Sequence, residues 1–238
     1  ELLQTMNLAA AQDRLRHIAF LSPRQSGSAA YSSNEKTVYL GDSHLHFLGR
    51  ETRKVEMIGT LGHEIQHAFF RETAETAQVT LHNEVRALST SGQPAIDYTA
   101  AALKYQQVGR MDESQAAMTG WNMAVSYLQA KDPNSPVTLE KIYTNYERSA
   151  GYIERTQVNG AFQYAMKPGY VLNPDMRMDI HNPQNIEAMG RDFYDRSRTL
   201  GHYGNSDYTN QYATYTAAVI ADAHARHAPH AELRLDMP

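Results

Sequence analysis

The chain has 238 residues, 42% hydrophobic and 20% charged, enough to bury a core in one large domain or two small ones and unlike a disordered or collagenous sequence. Its net charge of −4 argues against indiscriminate nucleic-acid binding, so no nucleic-acid partner is expected. No apolar run approaches the roughly 20 residues that span a bilayer, so a soluble protein without membrane insertion is expected. Cysteine is absent, which excludes disulfides, thiolate metal sites and cysteine nucleophiles and leaves His, Asp and Glu as the available metal ligands.

Residues 2–20 read as a first helix, with Leu3, Met6, Leu8, Leu15 and Ile18 recurring at helical spacing. A turn-rich stretch over 22–28 precedes a β-hairpin over 29–40. In the hairpin Ala30 and Tyr31 lead into Ser33-Asn34-Glu35-Lys36, and Thr37-Val38-Tyr39-Leu40 is β-branched and aromatic before a Gly41-Asp42 stop. From about Arg53 the period becomes helical, and Ile58, Leu61, Ile65 and Phe69 form one apolar stripe. A second helix is expected over 73–88, ending before Ser91-Gly92-Gln93-Pro94, and two more near 95–108 and 113–130.

The segment Lys131-Asp132-Pro133-Asn134-Ser135-Pro136 is the clearest boundary signal. It suggests a domain over 1–130 and a mostly helical part over 131–238 packed against it, or one continuous domain. Residues 139–153, 184–199 and 207–227 read as helical, and 156–179 as irregular with one short hairpin. The fold class expected is α+β: mostly helical, with a small antiparallel sheet before the helix that begins near Arg53. The chain opens on Glu1 without an initiator Met, as expected of a processed chain or a domain of a longer protein.

His63-Glu64-Ile65-Gln66-His67 spells His-Glu-x-x-His. On a helix this spacing puts two imidazoles one turn apart on one face, close enough to share an ion. The intervening Glu projects beside that ion, where a carboxylate can take a proton from activated water. With 11 His and 14 Glu in the chain, random placement yields roughly 0.03 such pentapeptides per shuffled sequence. The apolar stripe lies across the helix from the histidines, and Gly59 and Gly62 permit close approach of another backbone.

Catalytic zinc needs a third protein ligand. Glu84 lies 17 residues after His67, a gap that suits a helix, a turn and a returning helix. Leu81, Val85 and Leu88 share its face, and a carboxylate on an apolar face is costly unless a cation pairs it. The alternative for Glu84 is a salt bridge, with Arg86 or Arg71. Rivals as ligand are His82, Glu75, Asp112 and Glu113, with Glu113 next in line after Glu84.

On these residues the chain resembles the zincin metallopeptidases, in the gluzincin arrangement of His-Glu-x-x-His plus a distal Glu, over roughly residues 29–90. The extended metzincin pattern is missing, because Ala68-Phe69-Phe70-Arg71 follows His67. The resemblance implies that His63, His67 and Glu84 bind Zn2+, that Glu64 is the general base, and that the substrate is a protein or peptide. It also implies an edge strand just before the motif helix, where Thr37–Leu40 stands. No Asp follows Glu84 at the position that braces a ligand His in thermolysin-like enzymes. The architecture is also similar to metallopeptidase domains of secreted bacterial effectors and toxins, which implies a secreted or periplasmic location and an inhibitor or immunity protein as partner. Alternatives are a zinc amidase acting on cell wall and a non-catalytic binding domain with a vestigial metal site.

Elsewhere, Gly201-His202-Tyr203-Gly204-Asn205-Ser206-Asp207-Tyr208 reads as a helix-connecting loop with Ser206 or Asp207 as N-cap, or as a source of a carbonyl-polarising His202 or Tyr203. His44 and His46 share one side of a loop and read as surface residues. His224, His227 and His230 read as a solvated terminus, and Trp121, Met111, Met118 and Met123 as core.

Overall fold

The computed structural model describes residues 1–22, 29–41, 50–197, 200 and 206–237. Among the described residues six α-helices account for most of the structure, 58% being helical, and the strands form sheets of two or three, which makes the fold a mostly helical α+β one. The chain divides into two units, residues 1–69 with 113–194 and residues 70–112 with 195–238. The Lys131–Pro136 segment lies inside the first unit.

In the first unit, α1 (Leu2–Ala11) is shorter than its periodicity suggests. The backbone turns out of the helix at Asp13, which has φ +53°, and its carboxylate is held by Arg16 at 2.9 Å and by Lys36. The next residues form β1 (His17–Phe20) rather than more helix. Helical spacing of Leu15 and Ile18 was outweighed by the backbone partner that β3 (Thr37–Leu40) provides in parallel register, His17 against Thr37 to Phe20 against Leu40. The expected hairpin forms, with β2 (Ala29–Ser32) antiparallel to β3. The sheet is therefore mixed, in the order β1-β3-β2, and β3 is its middle strand. Thr37–Leu40 is not the edge strand that the zincin resemblance implied, because both of its backbone edges are already paired.

Helix α2 (Glu51–Ser89) runs without a break through the stretch where a turn was expected. Nothing between Gly62 and Gly92 is a Gly or Pro, and Arg71 and Glu75 add an i,i+4 ion pair at 2.6 Å. The helix stops before Gly92, whose φ of +72° suits glycine. Its stripe behaves as the periodicity predicts in the first unit: Leu61 and Ile65 pack with Ala9, Leu15, Val38 and Leu40, so the sheet and α1 cover that face. Arg14 ties the turn after α1 to the same helix by donating to the carbonyl of Phe69 at 2.7 Å.

The opposite side of α2 meets α3 (Thr99–Lys131). In the first unit the two helices approach so closely that a Cβ on Gly120 would lie 2.7 Å from the carbonyl oxygen of Gly59, and one on Gly62 would lie 2.6 Å from the Met123 side chain. Tyr146 fills the space over Gly59, and burial pushes its hydroxyl pKa up. Buried Thr119 donates to Gln66 at 3.3 Å across the same seam. Below it lies the main core, where Trp121, Met118, Val125 and Leu128 of α3 pack with Ile142 of α4 (Leu139–Asn145), Tyr152 and Met178. The Trp121 indole N–H donates to the Met176 carbonyl at 2.8 Å. The hairpin expected within 156–179 is β5 (Ile153–Val158) with β6 (Ala161–Met166), turned by Asn159-Gly160 with both φ positive, the pair that suits a two-residue hairpin. α5 (Pro183–Met189), capped by Asn182, leads into a π-helical turn, Gly190–Tyr194.

In the second unit, Leu81 and Val85 of α2 pack with Ile96 of β4 (Ala95–Asp97), Tyr98, Ala101, Ala102 and Ile220 of α6 (Tyr208–His227). α3 continues through Gly109 instead of splitting in two, and the Tyr212 ring occupies the space a side chain at 109 would need. Asp207 caps α6 by accepting from the Asn210 N–H at 2.8 Å, one of the two caps that the sequence offered. β7 (Glu232–Arg234) pairs in parallel with β4. His224 is structural: its Nε2 lies 3.1 Å from the Ala231 carbonyl, which only accepts, so in the neutral ring Nδ1 accepts from the Tyr98 hydroxyl at 3.1 Å.

The Gly59–Gly120 contact generates a prediction. Alanine normally gains about 1 kcal/mol over glycine inside a helix. At Gly120 the new methyl meets fixed backbone, so Gly120→Ala should instead destabilise by about 1–3 kcal/mol, read as a lower urea midpoint at unchanged m-value.

Candidate metal centre

His63 and His67 stand one turn apart on α2, in the part of the helix that belongs to the first unit. Their Nε2 atoms are 3.2 Å apart and their rings meet edge to face, with centroids 4.8 Å apart. Glu113, at the point where α3 enters the same unit, brings Oε2 to 3.5 Å from His63 Nε2 and 3.8 Å from His67 Nε2. Three potential donor atoms thus form a triangle with edges of 3.2, 3.5 and 3.8 Å.

That triangle can be tested against an ion. For tetrahedral zinc with bonds of about 2.0–2.1 Å, ligand atoms are about 3.3 Å apart. The edges bracket this separation, so the three atoms fit one zinc ion with small adjustments, and two imidazoles with one carboxylate are a donor set that zinc accepts. His63 is 4% exposed and Glu113 7%, so an ion there would be enclosed by protein on the ligand side. Glu64, the residue after His63, is also 7% exposed although it is a carboxylate, and one helical step turns it about 100° from its neighbour. Seven residues before His63, buried Glu56 accepts from the Arg148 backbone N–H at 3.2 Å, and desolvation raises its carboxyl pKa against the opposing pull of Arg148.

The structure groups His63, His67 and Glu113, and Glu84 is not in that group. Glu84 belongs to the second unit, half-buried, with Oε1 accepting from Lys104 Nζ at 2.6 Å. The physical reason is the unbroken α2: without a turn after His67, the chain does not return to bring Glu84 back to the pair. The salt-bridge alternative for Glu84 therefore describes its surroundings, with Lys104 in place of Arg86 or Arg71. Among the other rivals, Glu75 pairs with Arg71 and His82 lies 3.2 Å from the Tyr215 hydroxyl.

One signal for Glu113 was legible. Ala116, Gly120 and Ala124 recur at four-residue spacing and are buried, a small-residue stripe suited to close helix contact, and Glu113 stands one turn before it. Phe193 had no such signal. It lies in the π-helical turn, within a stretch that reads as ordinary helix, and its ring centroid is 5.6 Å from that of His63. His44, His46, His202 and Tyr203 lie outside the described residues. Compared with protein-family models, characterised proteins and solved structures, the chain matches none.

Metal analysis of the dialysed protein by mass spectrometry tests the grouping. Wild type and Glu84→Ala should each retain about one zinc per chain, and Glu113→Ala much less. Added zinc at about 1,000 times its Kd should stabilise wild type by about 4 kcal/mol and leave Glu113→Ala nearly unmoved. Full zinc in Glu113→Ala with loss in Glu84→Ala would reverse the assignment.

Proposed function

We propose that the protein is a zinc-dependent metallopeptidase that hydrolyses peptide bonds in a protein or peptide substrate, with His63, His67 and Glu113 as ligands and Glu64 as general base. The observation that carries this reading is the convergence of His63 Nε2, His67 Nε2 and Glu113 Oε2 within 3.8 Å of one another, beside a buried Glu at the base position of His-Glu-x-x-His. Bound zinc supplies a Lewis acid that polarises the scissile carbonyl and lowers the pKa of water toward neutrality.

The remaining work falls to this chain's side chains. Neutral His63 and His67 offer lone pairs from Nε2, so their Nδ1 positions are left to carry protons. One carboxylate from Glu113 neutralises only half of a dication, which keeps the centre electrophilic. The Glu64 carboxylate takes a proton from the attacking water and delivers it to the leaving amine nitrogen, so one side chain serves as base and then as acid. Its burial suits this, because limited solvent keeps the proton on a short path between water, Glu64 and nitrogen.

The reading is tested with Glu64→Gln, which keeps shape and removes the base. Zinc content should stay at wild-type level while cleavage of denatured casein falls by about 10²–10⁴-fold. Parallel digestion of purified peptidoglycan separates a peptidase from a cell-wall amidase. Undiminished casein cleavage by a clean Glu64→Gln preparation would remove Glu64 from the mechanism.

A further inference from the structure

Within the second unit a cleft of about 540 Å³ opens between α2 and α6. Small-molecule sites typically measure about 300–1,000 Å³, with an apolar lining and a few placed polar groups. The α6 wall follows one face of that helix, with Tyr215, Val219, Ala223 and His227 at four-residue spacing. Ala218 and Ala223 are short, so they leave room opposite Val85 of α2. Val85 is buried and Val219 and Ala223 half-buried, which makes the lining apolar at depth. The rim is polar and exposed: His82 and Arg86 stand one turn apart on α2, with Asp222, Arg226 and His227 on α6.

That rim sets two guanidiniums and two imidazoles against one carboxylate, in a chain whose net charge is −4. Part of this polarity is already answered. Arg226 Nη2 lies 2.7 Å from Asp222 Oδ1, and His82 Nε2 lies 3.2 Å from the Tyr215 hydroxyl, which also accepts from Gln78 Nε2 at 2.5 Å. The Arg86 guanidinium is different. Among the described residues it has neither a hydrogen bond nor an ion pair, and Glu84 close by in sequence is taken by Lys104. Arg86 stands in the last turn of α2, where a cation ordinarily answers the partial negative charge of the final carbonyls. Here Ser89, Thr90 and Ser91 already donate to the carbonyls of Arg86, Ala87 and Leu88, so that role is filled without the guanidinium.

We propose that this cleft binds a small organic monocarboxylate, with the carboxylate on the Arg86 guanidinium and the apolar body along Val85, Val219 and Ala223. The planar fork of guanidinium N–H donors matches a carboxylate in two parallel hydrogen bonds. One uncommitted guanidinium balances a monoanion, whereas a dianion would bring a second negative charge toward Asp222. The site is independent of the metal reading, since no residue of the cleft belongs to the His63, His67 and Glu113 group.

Ligand-observed NMR titration of the full chain tests the proposal, with phenylbutyrate and octanoate as probes and phenylbutanol as the neutral counterpart. Both carboxylates should bind saturably at one site per chain, and phenylbutanol at least about tenfold more weakly than phenylbutyrate. Arg86→Met keeps an apolar stem at an exposed position, so the fold should be retained. It should weaken both carboxylates by about 10–100-fold and leave phenylbutanol unmoved. Ala218→Leu, also at an exposed position, fills the cleft and should weaken carboxylate and alcohol alike. Chelator-treated protein should bind the probes as untreated protein does. A capped pentaalanine with a central glutamate should bind at least about tenfold more weakly than phenylbutyrate, because its flexible chain must be ordered on binding. No saturable binding of either carboxylate, equal binding of phenylbutyrate and phenylbutanol, or wild-type affinity in Arg86→Met would overturn the proposal. Loss of binding on chelation would overturn it by placing the probes on a metal, and tighter binding of the peptide would overturn it in favour of an acidic peptide.

Discussion

The approach of α2 to α3 at Gly59 and Gly120 is the constraint on which the candidate site depends. Helix axes usually stand 8–10 Å apart, set by the side chains between them. Here no Cβ separates Gly120 from the Gly59 carbonyl, and Gly62 makes room for Met123 one turn further along α2. Glu113 is two turns from Gly120 on α3, and His63 one turn from Gly59 on α2. The short reach of a glutamate toward two imidazoles is available only if the backbones are this near. Metal–ligand distances tolerate about 0.2 Å, less than the shift that one methyl group in the seam would impose. The glycines thus offer no donor atom to the site and still set its dimensions.

The two sides of α2 divide the work in its first-unit part. Leu61 and Ile65 anchor the helix to β3 and α1, while Gln66, His63 and His67 face toward α3 and its neighbours. With β3 in the middle of its sheet, the strand that precedes the motif helix among the described residues serves as support for the apolar stripe. An extended chain adding to this sheet would have to pair with β1 or β2, which hold the edges.

Much of this was legible in the sequence because local rules decided it. The His-Glu-x-x-His spacing, the stripe opposite it, the 29–40 hairpin, the Asp207 cap and the turn at Gly92 each rest on a few adjacent residues. What was not legible depended on whether a helix continues. Two helices with a turn near residue 72 would have carried Glu84 back toward His67. One helix carries it into the second unit and leaves the third corner to Glu113. The absence of Gly and Pro between Gly62 and Gly92 argued for the single helix. Propensity over so long a span is a weak guide, since tertiary contacts normally set where helices end. β1 shows the converse: Leu15 and Ile18 keep helical spacing, yet pairing with β3 prevails for the residues from His17 on.

Placing the candidate ligands on helices has a mechanical consequence. Side chains on buried helices hold their geometry better than those on loops, because backbone hydrogen bonds and packing fix the Cα–Cβ vectors in advance of any ligand. At His63, His67 and Glu113 the vectors are fixed by α2 and α3, which leaves only side-chain torsions to be set. For Glu113 those torsions run toward two imidazoles, and for His67 they are limited by His63 one turn away. The Phe193 ring, from the π-helical turn, also meets the His63 imidazole, with centroids 5.6 Å apart. A stretch more than a hundred residues downstream of the motif therefore packs against His63 without supplying a member of the His63, His67 and Glu113 group.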